Sequence, residues 1–121
     1  MKIRPLLPSL VFLSAAVALC AASNHTKGAQ PAQISQGEEI NLADYVVPGK
    51  TTIFDFSSEF CGPCRTYTEP LAQLHAKRAD LAVVRVDINR PNVRGIDWKS
   101  PVAREFQLES IPHFMVYGPD G

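Results

Sequence analysis

Residues 51–64 read TTIFDFSSEFCGPC, and two structural signals meet in them. The first part, Thr51 to Ser57, is rich in β-branched and aromatic residues, which predicts a strand. The last part is Cys61-Gly62-Pro63-Cys64, and the residues that follow it have helical periodicity. A strand, a tight turn and the start of a helix form the setting in which a C-x-x-C pair carries out thiol–disulfide chemistry.

The two cysteines of this motif are predicted to have different roles. Cys61 should be the nucleophile, because backbone N–H groups and the helix dipole at a helix start favour the thiolate. Cys64 lies one turn further in, where we expect it to be shielded and to resolve a mixed disulfide by attacking Cys61. Gly62 lets the turn approach a partner closely, and Pro63 fixes φ at the start of the helix. An inert disulfide is the alternative, although so small a ring constrains the unfolded chain little.

Outward from the motif, the pattern predicts one α/β domain. Residues 81–88, LAVVRVDI, are nearly all apolar, as in a parallel strand that is covered on both faces. Two strands that bracket a helix make a right-handed βαβ unit. The pattern also predicts a weak first strand at 38–42, a second helix capped by Ser100 with Pro101 at its first position, and a last strand at 113–117. The helix that starts at Cys61 should be kinked at Pro70. Its predicted inward positions are Cys64, Tyr67, Leu71, Leu74 and the stem of Arg78.

Two charged residues interrupt the predicted central strands. Asp55 lies among Ile53, Phe54 and Phe56, where a buried carboxylate is costly unless it has a task or a partner. Burial would raise its pKa and make it a proton acceptor for Cys64, whereas a strand-end position facing water would leave it an ordinary surface aspartate. Arg85 either extends towards this carboxylate or follows the surface into solvent.

Two further positions are candidates for substrate binding. Pro112 follows Ile111 and opens the last strand, and an X–Pro bond held cis beside the cysteines would leave the Ile111 backbone free to pair with an extended peptide. An ordinary trans proline is the alternative. Phe60 precedes the nucleophile and would supply an apolar rim for protein substrates, unless it serves packing alone.

The N-terminal segment has the pattern of a secretory signal peptide. Lys2 and Arg4 form a positive start, and Leu10 to Leu19 is an apolar stretch too short for an ordinary membrane span. We expect cleavage after Ala22 and export to the periplasm or cell envelope. The alternatives are an uncleaved membrane anchor and lipid attachment at Cys20. Residues 23–36 are predicted to be a flexible linker, and residues 37–121 to be the folded domain.

Composition narrows the function classes. The 121 residues carry 12 basic and 12 acidic side chains, so the chain has no electrostatic footprint for nucleic acid. Cys20 belongs to the N-terminal segment, which leaves Cys61 and Cys64 as one pair and favours a redox role over a structural one. No metal site is predicted, because a zinc site needs four ligands and the three histidines are scattered over a linker, a helix and a distant strand.

Three segments, in the right order, resemble the thioredoxin family. They are IFDFSSEFCGPC at 53–64, AVVRVDIN at 82–89 and SIPHFMVYGPDG at 110–121. The resemblance implies a thioredoxin-like α/β fold, a central mixed sheet flanked by helices, without the last strand and C-terminal helix of the family. It also implies a redox-active Cys61–Cys64 disulfide and Asp55 as the buried acid–base group. Ile111-Pro112 would be the substrate-binding ledge, the backbone segment that pairs with the substrate chain.

The predicted function is a thiol–disulfide oxidoreductase that reduces disulfides in exported proteins or peptides. The Gly-Pro pair between the cysteines resembles the reducing members of the family. The sequence shows no cofactor motif, so we expect a membrane thiol carrier as the electron donor. The alternatives are a thioredoxin-like binding module with little redox turnover, and an oxidase or isomerase.

Overall fold

A computed structural model describes residues 29–121. The predicted signal peptide at 1–22, the lipidation alternative at Cys20 and residues 23–28 of the predicted linker lie outside the described residues. The elements are β1 (Ala32–Gln36), a short 3-10 helix (Leu42–Tyr45), β2 (Thr51–Ser57), α1 (Gly62–Lys77), β3 (Leu81–Asp87), α2 (Pro101–Glu105) and β4 (His113–Tyr117).

The described strands form one four-stranded mixed sheet in the order β1-β3-β2-β4. β3 is parallel to both β1 and β2, and β4 is antiparallel to β2. The unit β2–α1–β3 is the predicted βαβ unit, and its central strands carry the apolar core. Side chains of Phe54 and Phe56 from β2 and of Val86 from β3 are fully buried there, together with Val102 of α2. The predicted α/β class and mixed sheet are confirmed.

The first strand lies elsewhere than predicted. β1 occupies residues 32–36, at the end of the expected linker, and pairs with β3. Gly37 ends it with a φ of 88°, a conformation that favours glycine. Ile40 and Leu42, whose alternation suggested a strand at 38–42, are buried from an irregular segment and the 3-10 helix. β1 is a short edge strand with a single large apolar residue, Ile34, so its sequence AQISQ carries little strand signal.

Helix α1 keeps only part of its predicted inward face. Cys64 is buried and Leu71 and Leu74 are half-buried, but Tyr67 is 45% exposed. Its ring meets the edge of the Phe114 ring on β4, with 5.6 Å between centroids. The helix continues through Pro70.

The elements after β3 follow the prediction closely. Ser100 caps α2, its side chain accepting a hydrogen bond from the Ala103 N–H at 3.2 Å, and Pro101 is in the first turn. β4 has the predicted bounds, residues 113–117. It begins directly after the Ile111–Pro112 bond, and its pairing with the central strand β2 brings that bond to the end of the sheet where α1 starts.

Candidate active site

The two cysteines lie at the junction of β2 and α1. Cys61 is the N-cap of α1, and its N–H donates to the Ser58 carbonyl oxygen at 3.0 Å. Cys61 and Cys64 form a disulfide, with 5.3 Å between their Cα atoms. The N–H of Cys64 donates to Cys61 Sγ at 3.2 Å. Pro63 is in the first turn, where its missing N–H leaves no bond unmade.

This arrangement favours a negative charge on Cys61 once the disulfide is reduced. A backbone N–H already points at the sulfur, and the free N–H groups of the first helical turn face the same way. Both effects stabilise a thiolate. The two cysteines do not differ in exposure as expected, because Cys61 is 2% exposed and Cys64 is 3% exposed. Their difference lies in position: Cys61 caps the helix, whereas Cys64 is inside its first turn.

The Ile111–Pro112 bond lies against the cysteines and is cis, as predicted. The carbonyl oxygen of Ile111 is 3.7 Å from Cys61 Sγ. A segment 50 residues away in sequence is thus in contact with the sulfur. The structure therefore places the expected peptide-binding ledge beside the expected nucleophile, and its binding role stays a prediction.

Asp55 is buried in the middle of the sheet, as predicted. It is 2% exposed, and it lies opposite Arg85 on β3 and Phe114 on β4. Its Oδ2 is 3.8 Å from Arg85 Nε, whereas its Oδ1 has no hydrogen-bond partner within residues 29–121. Burial raises the pKa of the Asp55 carboxyl, and the positive charge of Arg85 opposes this rise. A carboxyl in this state can accept a proton near neutral pH more readily than an exposed one.

Arg85 links this carboxylate to a cleft beside Cys64. Its side chain is 32% exposed, and Nη2 donates to Thr68 Oγ1 of α1 at 3.3 Å. Arg85 thus follows both of its predicted courses, because it contacts Asp55 and also reaches solvent. The cleft has a volume of about 170 Å³ and is lined by Cys64, Arg85, Gln33, Ser57, Ser58, Glu59, Arg65, Thr68 and Asp87.

Phe60 is 41% exposed beside Cys61. Its N–H donates to Ser58 Oγ at 3.2 Å, so its backbone is held while its ring faces solvent. The exposure fits an apolar rim better than a packing role. Gly62 has free space where a Cβ would lie, so the turn leaves room for an approaching chain.

Comparison with known proteins identifies the family. The family model described as Thioredoxin matches residues 33–121. The chain belongs to the thioredoxin family. A thioredoxin H-type from Fagopyrum esculentum is 34% identical over 68 residues, 56% of this chain and 52% of that protein. A thioredoxin from Mycolicibacterium smegmatis is 29% identical over 75 residues, 61% of this chain and 62% of that protein. The chain spans about half the length of the first of these relatives.

Solved thioredoxins share the fold of this thioredoxin-family chain. Malassezia sympodialis thioredoxin superposes with a TM-score of 0.55 at 18% identity, covering 82% of this chain and 80% of that one. Spinach chloroplast thioredoxin f, in its short form, gives a TM-score of 0.54 at 15% identity, covering 76% and 75%. The fold expected from the resemblance is confirmed.

Two site residues of this thioredoxin domain were not found from the sequence. Asp87, at the end of β3, borders the same cleft as Cys64, and its pKa is raised chiefly by burial. Asn89 contacts the turn before Cys61 through its side chain. Asp87 ends a buried strand and Asn89 follows it, and polar residues at this position are a signal of a site that the sequence contains.

Residues 29–121 show no group of three His, Cys, Asp or Glu side chains placed to hold a metal ion. In that same part of the chain, no helix is long and apolar enough to span a membrane.

Proposed function

We propose that this chain reduces disulfides in proteins or peptides through its Cys61–Cys64 couple. The observation that carries the proposal is the position of Cys61. Its sulfur caps a helix, receives the Cys64 N–H at 3.2 Å and lies 3.7 Å from the Ile111 carbonyl oxygen. A stabilised thiolate next to a peptide-binding ledge is the arrangement that thiol–disulfide exchange with an extended chain requires.

The reaction starts from the reduced pair. The Cys61 thiolate attacks one sulfur of the substrate disulfide, forms a mixed disulfide and releases the other substrate sulfur as a thiolate. Cys64 then loses its thiol proton to the Asp55 carboxylate and attacks Cys61 Sγ, which closes the internal disulfide and releases the second substrate sulfur as a thiolate. The substrate gains two electrons, its two thiolates take up protons, and the Cys61–Cys64 pair is oxidised.

Asp55 supplies the proton acceptor for the second step. Its buried carboxyl has a raised pKa, which suits it to take the proton from the Cys64 thiol as that sulfur attacks. Arg85 contacts Asp55 and borders the cleft that Cys64 also lines, so one side chain reaches both the carboxylate and that cleft.

The reducing direction is supported by the Gly-Pro pair between the cysteines. Family members of the reducing kind have potentials of about −270 mV, whereas strong oxidants have potentials of about −120 mV. Equilibration with glutathione buffers and quantification of free thiols measures the potential. A value near that of the strong oxidants would assign the chain to the oxidase alternative.

Export and the electron donor belong to the same proposal. The pattern of residues 1–22 supports export to the periplasm or cell envelope, where a membrane thiol carrier would reduce the Cys61–Cys64 disulfide. Expression of the full chain, cell fractionation and intact mass test this. We expect the extracytoplasmic fraction to contain a chain that begins at Ser23, and a chain retaining Met1 in the cytoplasm would contradict it.

The activity is tested with insulin and dithiothreitol. The wild-type chain should accelerate precipitation of the reduced insulin chains, and Cys61→Ser should react at the background rate. Wild-type protein that is folded yet no faster than background would favour the alternative, a binding module with little redox turnover.

A further inference from the structure

Ser58 fixes the backbone of the turn that leads into the cysteines. Ser58 is 6% exposed. Its hydroxyl accepts a hydrogen bond from the Phe60 N–H at 3.2 Å and donates one to Asn89 Oδ1 at 2.7 Å. Its carbonyl oxygen accepts the Cys61 N–H at 3.0 Å. One residue therefore holds two successive amides, one through its side chain and the other through its main chain.

Asn89 ties this turn to the loop after β3. Its Oδ1 accepts the Ser58 hydroxyl and the Asp97 N–H at 3.2 Å. Its Nδ2 donates to the carbonyl oxygens of Val93 at 3.3 Å and Gly95 at 2.7 Å. An asparagine amide offers two acceptor positions and two donors, so every one is used. The amide has one orientation, because a flip would set oxygen against two carbonyl oxygens.

The loop that holds Asn89 is itself braced. The Arg90 guanidinium donates to both carboxylate oxygens of Asp97, at 2.7 and 3.0 Å. Asp97 is 4% exposed, and its carbonyl oxygen accepts the N–H of the α2 cap Ser100. A two-point contact of this kind fixes geometry as well as charge. Residues 90–97 therefore form a fixed frame next to the active-site turn.

The sulfur of Cys61 is held by other contacts. It caps α1, accepts the Cys64 N–H and touches the Ile111 carbonyl oxygen. The Phe60 amide, in contrast, is bonded to the Ser58 hydroxyl. Loss of this hydroxyl should therefore release the Phe60 rim and leave the reactive sulfur in place.

We propose that Ser58 and Asn89 are positioning residues that hold the Phe60 rim for polypeptide substrates. The frame at 90–97 thereby contributes to affinity for disulfides flanked by an apolar, extended chain, without changing the reactivity of Cys61. This inference rests on the proposed disulfide reduction.

The test compares two disulfides in the full chain and in Ser58→Ala. For insulin, we expect KM to rise about fivefold, the factor that one hydrogen bond of ordinary strength represents, with kcat unchanged. For 2-hydroxyethyl disulfide, which has no polypeptide flank, the rate should be unchanged. Ser58→Thr keeps the hydroxyl and should restore the insulin KM. Asn89→Ala removes the Ser58–Asn89 hydrogen bond and leaves the Ser58 hydroxyl in place, and it should also raise the insulin KM.

Ser35→Ala is the matched control. Ser35 is 3% exposed, and its hydroxyl donates to the Glu38 carbonyl oxygen. Like the hydroxyl of Ser58, it accepts the N–H of the residue two positions later, here Gly37 at 3.1 Å. The substitution removes the same kind of turn hydroxyl from the end of β1, and its insulin KM should equal that of the wild type. Equal losses with both disulfides in Ser58→Ala, or equal insulin KM values in Ser58→Ala and Ser35→Ala, would overturn the proposal.

Amide hydrogen exchange separates this inference from the proposed function. The Phe60 amide should exchange faster in Ser58→Ala than in wild type and be unchanged in Ser35→Ala, whether or not the chain is active. An inactive wild type would refute the proposed reduction. Unchanged Phe60 exchange in Ser58→Ala would refute the positioning role.

Discussion

Replacing Arg85 with methionine is expected to make the stability of the fold fall more steeply as pH rises. Burial is the larger influence on the Asp55 carboxyl and raises its pKa, while Arg85 lowers it. The folded state therefore holds the Asp55 proton more tightly than the unfolded state. The stability that this group contributes is fully present below its unfolded pKa of about 3.9, and it is lost as pH rises through the folded pKa.

The size of the effect follows from the geometry. Arg85 Nε lies 3.8 Å from Asp55 Oδ2. At this separation, an effective dielectric constant near 20 gives an attraction of about 4 kcal/mol. The Arg85 side chain is 32% exposed, and screening by solvent reduces the attraction between the two charges to about 1 kcal/mol. Arg85→Met should lower the free energy of unfolding by this amount at pH values where Asp55 is ionised. Where Asp55 is protonated, this part of the loss should be absent.

Urea unfolding at a series of pH values between 4 and 8 measures the difference. With a slope of about 1 kcal/mol per molar urea for a small domain, the midpoint of Arg85→Met should fall by an extra 1 M or so at the upper end of the series. Loss of the Arg85–Thr68 hydrogen bond lowers stability at every pH and cancels when the two ends are compared.

Asp87 requires a control, because its pKa is also raised chiefly by burial and slightly lowered by Arg85. Asp55→Asn, alone and with Arg85→Met, completes a double-mutant cycle that isolates the Asp55 part. Asp55→Asn should flatten the pH profile. A profile of Arg85→Met that runs parallel to that of the wild type, or one just as steep in the Asp55→Asn background, would refute the reasoning.

Three further substitutions test other parts of the structure. Cys64→Ser should accumulate a mixed disulfide between Cys61 and the substrate, seen as an adduct by non-reducing mass spectrometry, and rapid release of the substrate would contradict the assigned roles. Ser100→Ala removes the cap of α2 and should lower the free energy of unfolding by about 1 kcal/mol in urea; an unchanged value would show that the capping bond contributes nothing. Gly37→Ala should lower the thermal midpoint, because its Cβ would lie 2.7 Å from Arg90 atoms at a φ of 88°, and a midpoint equal to that of wild type would contradict this.

Local signals in the sequence were enough for much of the fold. The Cys61 to Cys64 turn, the cap at Ser100 and the bounds of β4 depend on neighbouring residues, and all are found where expected. The sequence does not predict β1, because an edge strand with one large apolar residue is defined by its pairing with β3, which no local pattern records. Tyr67 has the spacing of an inward residue but lies where α1 meets the exposed face of β4.

The candidate site divides in the same way. Asp55 was identified because a carboxylate among apolar strand residues is conspicuous in any sequence. The Ser58–Asn89 hydrogen bond joins two ordinary polar residues that are 31 positions apart. It forms because β2 and β3 end side by side, with Ser57 paired with Asp87. Contacts of this kind follow from tertiary structure alone.

The deep burial of Cys61, at 2% exposure, has a kinetic consequence. A free small thiol finds almost no surface on this sulfur and reacts only when the protein opens locally, so a high concentration of the thiol is needed to drive its reaction. A polypeptide that docks first can use its binding energy to bring its own sulfur into line. Selectivity for macromolecules over metabolite thiols would then be a matter of access, and wasteful cycling with the surrounding thiol pool would be slow.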